Sequence, residues 1–234
     1  MSGVSKSSER PEPRTNTMEA KAYQELRRSI MQGVFSPGET VSLRALASSL
    51  GTSVTPVRAA LNRLSAEHAC EQGNNRNFRI PSMTPERLEE VCYWRKELEG
   101  QAALLATPVM TQSDLDRMVK LNEQLKKNVE AGDWSEVLNL NFEFHFTIYR
   151  AAPSEILVPM IEGLWLQMGP ITHKSLPSRR LVWNSEQHLK MLDALNDKDA
   201  KEVAKCMRKD IDSMYNFLKD DAFPKKQQVR SISG

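Results

Sequence analysis

The sequence predicts a mainly α protein: an N-terminal winged helix-turn-helix with a small β-hairpin wing, then a C-terminal antiparallel all-α bundle. Three observations carry this expectation. Val57, Ala60, Leu61 and Leu64 recur at spacings of three and four behind Pro56, and Leu43, Leu46, Ala47 and Leu50 mark a shorter amphipathic helix that stops at Gly51. Two such helices joined by a tight turn make a helix-turn-helix. Between Ala69 and Ile80, two short stretches flank Asn74-Asn75, the pattern of a hairpin with a basic tip. Beyond Pro81-Ser82-Met83-Thr84-Pro85 the rest of the chain reads as capped helices and short loops.

The elements follow in order. Residues 1–17 are rich in Ser, Pro, Glu, Arg and Lys and too poor in apolar residues to offset their ordering entropy, so a disordered tail is expected. Met18 to Phe35 carries Ala22, Leu26, Ile30 and Val34 at intervals of four, a first helix, and Pro37-Gly38 turns the chain into the helix-turn-helix. In its second helix Pro56 occupies the first turn, Ser53 or Thr55 can cap, and Arg58, Asn62 and Arg63 point outward. An arginine-bearing helix of this kind suits a DNA major groove. The wing strands are Ala69 to Gln72 and Phe78 to Ile80, with Arg76 and Arg79 near a phosphate or the minor groove. A two-stranded hairpin is marginal alone and must lean on the helices.

The winged domain is expected over 18–80 and a stiff linker over 81–85. A helical domain follows over 86–219 and a flexible tail over 220–234. Within the helical domain Thr84 caps a helix to about Ala106, and Thr111 or Ser113 opens another that stops near Gly132. Trp134 to Ala151, Ser154 to about Thr172, Ser185 to Asn196 and Lys198 to Leu218 complete the set. Joined antiparallel, these enclose a core able to hold a ligand.

Composition narrows the function classes. No apolar run reaches the roughly 18–20 residues of a membrane span, and the N-terminal segment lacks the apolar centre of a signal peptide, so a cytoplasmic location is expected. Cys70, Cys92 and Cys206 are an odd number without C-x-x-C spacing, which argues against a disulfide framework and a cysteine zinc site. Residues 1–83 hold eleven Lys and Arg against seven Asp and Glu, while residues 84–234 hold 21 against 23. A basic head on a mildly acidic body suits a nucleic-acid-binding domain attached to another unit.

From Leu26 to Ile80 the chain resembles the DNA-binding domain of the GntR family of bacterial transcription regulators. The matching residues are Ile30, Gly33, Pro37-Gly38, Leu46-Ala47, the S-x-T-P-V-R-x-A-L run from Ser53 to Leu61, and Arg63-Leu64. The resemblance implies DNA contacts at Arg44, Ser53, Thr55 and Arg58, to which the wing adds Arg76. Arg58 is then a guanine reader, and Ser53 and Thr55 phosphate contacts. Val54 stands where family members usually carry a base-reading arginine, and Ala59 where they carry a glutamate.

The second half is similar to an FCD domain, the effector domain of the FadR subfamily of GntR regulators. Arg95-x-x-Leu98-Glu99, Asn141-Phe142-Glu143-Phe144-His145, and His188, Ala194-Leu195, Asp199, Met207 and Asp210 carry that likeness. In metal-binding members the ligands are an aspartate and three histidines, at positions held here by Asn141, His145, His188 and Asp210. The resemblance thus implies one divalent metal (Zn, Ni or Mn), with a carboxylate kept but one nitrogen ligand lost. A water-filled polar pocket, in which Asp210 hydrogen-bonds the histidines without metal, is the alternative. Effector binding is expected at Arg95, His145 and His188, with Arg95 clamping a ligand carboxylate; a helix salt bridge to Glu99 at i, i+4 is the competing role for Arg95. His173, next to a loop, is expected to be an exposed, incidental histidine, and the tryptophans, Trp165 among them, core or interface packing residues.

The expected function is a non-enzymatic, ligand-responsive transcription regulator, a repressor by family habit. It acts as a homodimer on a near-palindromic operator in double-stranded DNA and is controlled by a small carboxylate effector, with no membrane partner. The alternatives are a DNA-binding protein whose bundle only dimerises and, remotely, a metal-dependent hydrolase using the His/Asp cluster.

Overall fold

The computed structural model describes residues 17–73, 77–175 and 186–224. The chain forms α1 (Met18–Met31), β1 (Thr40–Val41), α2 (Leu43–Ser49), α3 (Val54–Ala66), β2 (Glu71–Gln72), β3 (Phe78–Arg79), α4 (Pro85–Ala106), α5 (Gln112–Ala131), α6 (Trp134–Ala151), α7 (Leu157–Ser175), α8 (Glu186–Asn196) and α9 (Ala200–Ala222). Fold class follows the expectation: a helical protein with one small antiparallel sheet.

In the head, α1, α2 and α3 bury Leu26, Ile30, Ala47, Val57, Ala60, Leu61 and Leu64 against one another and against Phe78 and Ile80. The wing differs from a simple hairpin. The sheet has three strands in the order β1-β3-β2, Val41 pairing with Phe78 and Gln72 with the same residue from the other side. The third strand supplies the support that a two-stranded ribbon lacks. Two residues, Thr40 and Val41, are too few for alternation to announce a strand in the sequence. Two helix ends also differ. α1 stops at Met31, because Gly33 takes a φ of +67° that ends the helical path. α9 continues through Asp220 and Asp221 to Ala222, past the expected end at Leu218 and into the expected flexible tail.

The bundle is built as its caps dictate. Thr84 accepts from the Arg87 N–H with Pro85 opening α4, Thr111 and Asp114 form a capping box on α5, and Asp133 and Asp199 cap α6 and α9. Its core gathers Leu88, Phe144, Phe146, Ile148, Tyr149, Ile161, Met191, Leu195 and Met207, all fully buried.

Head and bundle meet along α7. Glu162, Leu166, Gly169 and His173, spaced four, three and four apart, face α1. Leu166 is completely buried as part of the head's own core, and Arg27 donates to Glu162 at 2.8 Å. Gly169 permits the closest approach: a Cβ there would stand 2.4 Å from the Ile30 carbonyl oxygen. His173 packs over Gly33 and is half-buried, so it is a contact between the two units and not the exposed histidine its neighbourhood in the sequence suggests.

Candidate functional site

On the head, α3 presents a polar edge. Ser53 is the N-cap by backbone conformation, yet its side chain makes no cap hydrogen bond, leaving the exposed hydroxyl uncommitted at the helix start. Thr55 of α3 and Arg44 of α2 are exposed, and Arg58 of α3 is half-buried, while Val57, Ala60 and Leu61 are turned into the core. Arg63 is exposed, as its place on the outer face predicts, but it lies over the Tyr23 ring at 3.7 Å and pairs with Glu67 at 3.4 Å, so its guanidinium is engaged at the surface of the head. Arg76 lies outside the described residues, and Arg79, on β3, stands 3.9 Å from Glu71.

In the bundle, three helices bring together residues far apart in sequence. His145 from α6, His188 from α8 and Asp210 from α9 each turn a ligand atom to a common centre, all within 4.8 Å of one another. His188 Nε2 and His145 Nε2 are 3.2 Å apart, and His145 Nε2 is 3.4 Å from Asp210 Oδ2. Both histidines are buried. With bonds of about 2.0–2.2 Å, neighbouring ligands on one metal stand roughly 3.0–3.5 Å apart, so these separations match edges of a coordination polyhedron. Asn141, one helical turn before His145, lines the same cavity as Asp210.

The tautomer of His188 is set by its surroundings. Asn122 Oδ1 lies 3.1 Å from His188 Nδ1, so a proton on Nδ1 donates to the amide oxygen and an Nε2 lone pair faces His145. Phe144 stacks on the His188 ring at 4.1 Å. Burial pushes the imidazole pKa down to about 4, with Asp210 pulling upward and His145 adding to the depression, which leaves the ring neutral at pH 7 as a metal ligand must be. His145 Nδ1 is buried and has no hydrogen-bond partner among the described residues; its ring packs against Tyr149 and Trp165. The donor set of two imidazoles and a carboxylate fits a divalent ion.

Arg95 makes the i, i+4 salt bridge to Glu99, the competing role for it. It lines the cavity, but its Nε donates to Glu99 Oε1 at 2.6 Å and its Nη2 to Oε2 at 3.3 Å. Tyr149 also donates to Glu99 Oε2, and Trp165 Nε1 to Oε1 at 2.9 Å. Burial works against the Arg95 charge, but the Glu99 carboxylate outweighs it and holds the guanidinium above its ordinary pKa. Burial, reinforced by Glu99, likewise drives the Tyr149 hydroxyl well above its usual value. Since Glu99 occupies the Nε edge, only the Nη1 side of Arg95 is left for anything in the cavity.

The cavity is about 660 Å³, within the range of small-molecule sites. Its wall includes residues that sequence reasoning missed. Trp165 lies under Arg95 at 4.5 Å, and Gln24, Arg27 and Arg28 come from α1 of the head. Asn122 had a legible signal, a lone asparagine in the apolar stripe Leu115, Met118, Leu125 and Val129 of α5. The α1 residues had none, since only tertiary packing brings them there. The three cysteines are free and buried; burial, aided by Glu67 and Glu71, pushes the Cys70 thiol to about 12.

Residues 19–80 match the model of bacterial regulatory proteins of the gntR family, and residues 90–213 match the FCD domain. The chain is 33% identical over 186 residues to the HTH-type transcriptional regulator McbR of Escherichia coli, covering 78% of this chain and 84% of that protein. It is 31% identical over 172 residues to the Nta operon transcriptional regulator of Aminobacter aminovorans, covering 73% of this chain and 80% of that protein. The solved structure of E. coli McbR/YncC superposes with a TM-score of 0.78 at 31% identity, over 86% of this chain and 98% of that one. A GntR regulator from Rhodococcus, at 18% identity and a TM-score of 0.72 over 86% of this chain and 96% of that one, shares the fold. With a winged head and a helical effector domain both matched, this chain belongs to the GntR family of bacterial transcription regulators and carries an FCD domain.

Proposed function

We propose that this regulator is of the FadR subfamily and is a non-enzymatic cytoplasmic repressor. It binds a near-palindromic operator as a homodimer and responds to a small carboxylate held beside a divalent metal in the bundle. The functional units are residues 18–80 and 86–219, joined through 81–85. Arg58 reads a base edge, Arg44, Ser53 and Thr55 hold the DNA backbone, and Arg76 extends the contact from the wing. Asn141, His145, His188 and Asp210 hold the metal, which when bound supplies a positive charge for the ligand carboxylate. His188 stays neutral, Asn122 fixes its tautomer, and Arg95 offers its Nη1 edge.

The observation that carries the ligand-responsive reading is the His145–His188–Asp210 group, two buried histidines joined to a cavity through Asp210, which lines it together with residues of the head. Homodimerisation is supported by the apolar surface of Tyr93 and Trp94 on α4, and of Ile156 and Met160 at the start of α7, all about half exposed or more. No helix among the described residues is long and apolar enough to cross a membrane.

The test is metal content by plasma mass spectrometry of protein purified without chelator or metal-binding tag, together with a thermal-shift screen of small carboxylates. Near-stoichiometric metal, lost on His145→Ala, and a carboxylate that raises Tm support the reading. Protein that takes up no metal and responds to no acid leaves the bundle with dimerisation alone.

A further inference from the structure

We infer that the effector site is a two-domain site, and that its ligand is an acid with two anionic groups, one held at the histidine cluster and the other by Arg28 of the DNA-binding head. The inference rests on the cavity being the effector site as proposed above. Four arginines line it: Arg27, Arg28, Arg95 and Arg150. Three of them already donate to carboxylates, Arg27 to Glu162 at 2.8 Å, Arg95 to Glu99 at 2.6 Å and Arg150 to Glu143 at 3.3 Å. Arg28 differs. Its nearest described carboxylate is Glu25 at 3.9 Å, beyond a hydrogen bond, in a pair that is more than half exposed. It is the lining guanidinium with its fork open to a new anion.

Position and size point the same way. His145 and Asp210 belong to α6 and α9, whereas Arg28 belongs to α1, which reaches the cavity by packing on α7. The two cationic sites therefore sit on walls contributed by different domains. A two-carbon monoacid occupies roughly the volume of two waters, about 60 Å³, a small part of the 660 Å³ space. The wall of that space includes Asp210 of the cluster and both Gln24 and Arg28 of α1, so a longer diacid is the ligand that can engage both, with Gln24 as a second donor beside Arg28. Such a ligand ties head to bundle directly, so that its binding energy depends on how the head is docked. That dependence is the differential affinity a switch requires.

The test uses the full-length protein loaded with zinc, titrated calorimetrically with acetate, with succinate, glutarate and adipate, and with phosphoglycolate at matched ionic strength. A diacid should bind at least tenfold tighter than acetate and slow hydrogen exchange in α1, which acetate should not. Tightest binding by phosphoglycolate would identify the distal group as a phosphate, and tightest binding by a dicarboxylate as a second carboxylate. Arg28→Gln should abolish the advantage of the diacid while leaving acetate affinity, zinc affinity and Tm unchanged. Equal binding of mono- and diacids by the wild type, or undiminished diacid binding by Arg28→Gln, overturns the two-domain site. His145→Ala separates the two readings: if zinc and acetate binding survive it, the effector-site reading itself fails; if they are lost while Arg28→Gln is silent, that reading stands and only the extension to α1 falls.

Discussion

Replacing Gly169 by alanine perturbs the seat of the head on the bundle with a single methyl group. The added Cβ would lie 2.4 Å from the Ile30 carbonyl oxygen, 2.7 Å from that of Met31 and 2.8 Å from Met31 Cα, all backbone atoms that cannot rotate away. A relaxed carbon–oxygen contact is about 3.3 Å. The end of α1 must therefore retreat by roughly 0.9 Å, pulling the head core off Leu166, which lies one turn earlier on the same face and is completely buried. Overpacking of this kind costs about 1–3 kcal/mol, and partial loss of a buried leucine adds to it from its full value of about 1.5–3 kcal/mol. Alanine returns about 1 kcal/mol through helix propensity. The net destabilisation is about 2 kcal/mol, a Tm lowered by roughly 4–8 °C in a chain of this size. Gly163 supplies the control, because a Cβ there meets nothing within 4 Å on the same helix. Gly163→Ala should raise Tm by roughly 2–4 °C. The assay is thermal unfolding by circular dichroism, with limited proteolysis of the 81–85 segment to detect an undocked head. A Gly169→Ala variant as stable and protease-resistant as Gly163→Ala would refute the close packing of α1 on α7.

The remaining predictions concern the site and the head. Glu99→Gln leaves Arg95 buried without its counter-charge and should cost about 3–5 kcal/mol in urea unfolding, whereas Tyr149→Phe removes one donor and should cost about 1–2 kcal/mol; equal effects would show that Glu99 does not act as the charged hub. Asn122→Ala frees the His188 ring and should weaken zinc binding, in competition titrations against a chromophoric chelator, by about 10- to 100-fold with little change in secondary structure. Arg58→Ala should weaken binding to DNA selected by the wild type from a random library by about 1–3 kcal/mol and relax preference at one base pair per half-site. Arg63→Ala, whose guanidinium is engaged by Tyr23 and Glu67, should lose stability without relaxing sequence preference.

Much of the fold was legible because its signals are local. Periodicity of three and four residues marks α3 through Val57, Ala60, Leu61 and Leu64, and the cap residues Thr84 and Thr111 open their helices in the structure. Failures occurred where a local pattern was too short or a distant partner decided the outcome. Thr40 and Val41 become a strand only because β3 runs past them. His173, polar and near a loop in sequence, becomes an interdomain contact because α7 carries it beneath Gly33.

By itself the sequence determined the helices, their caps, the helix-turn-helix and the residue types available for metal and DNA chemistry, because side-chain sterics, backbone hydrogen bonding and apolar period act over a few residues. The tertiary structure alone decided the company those residues keep. It set His145, His188 and Asp210 within 4.8 Å of one another from three helices. It closed Glu99 around Arg95, Tyr149 and Trp165, and it laid α1 along a cavity of the bundle through Leu166 and Gly169. Apart from the Arg95–Glu99 pair, which lies one helical turn apart, such contacts join residues distant in the sequence, and their geometry depends on how whole helices pack, which no short window of sequence contains.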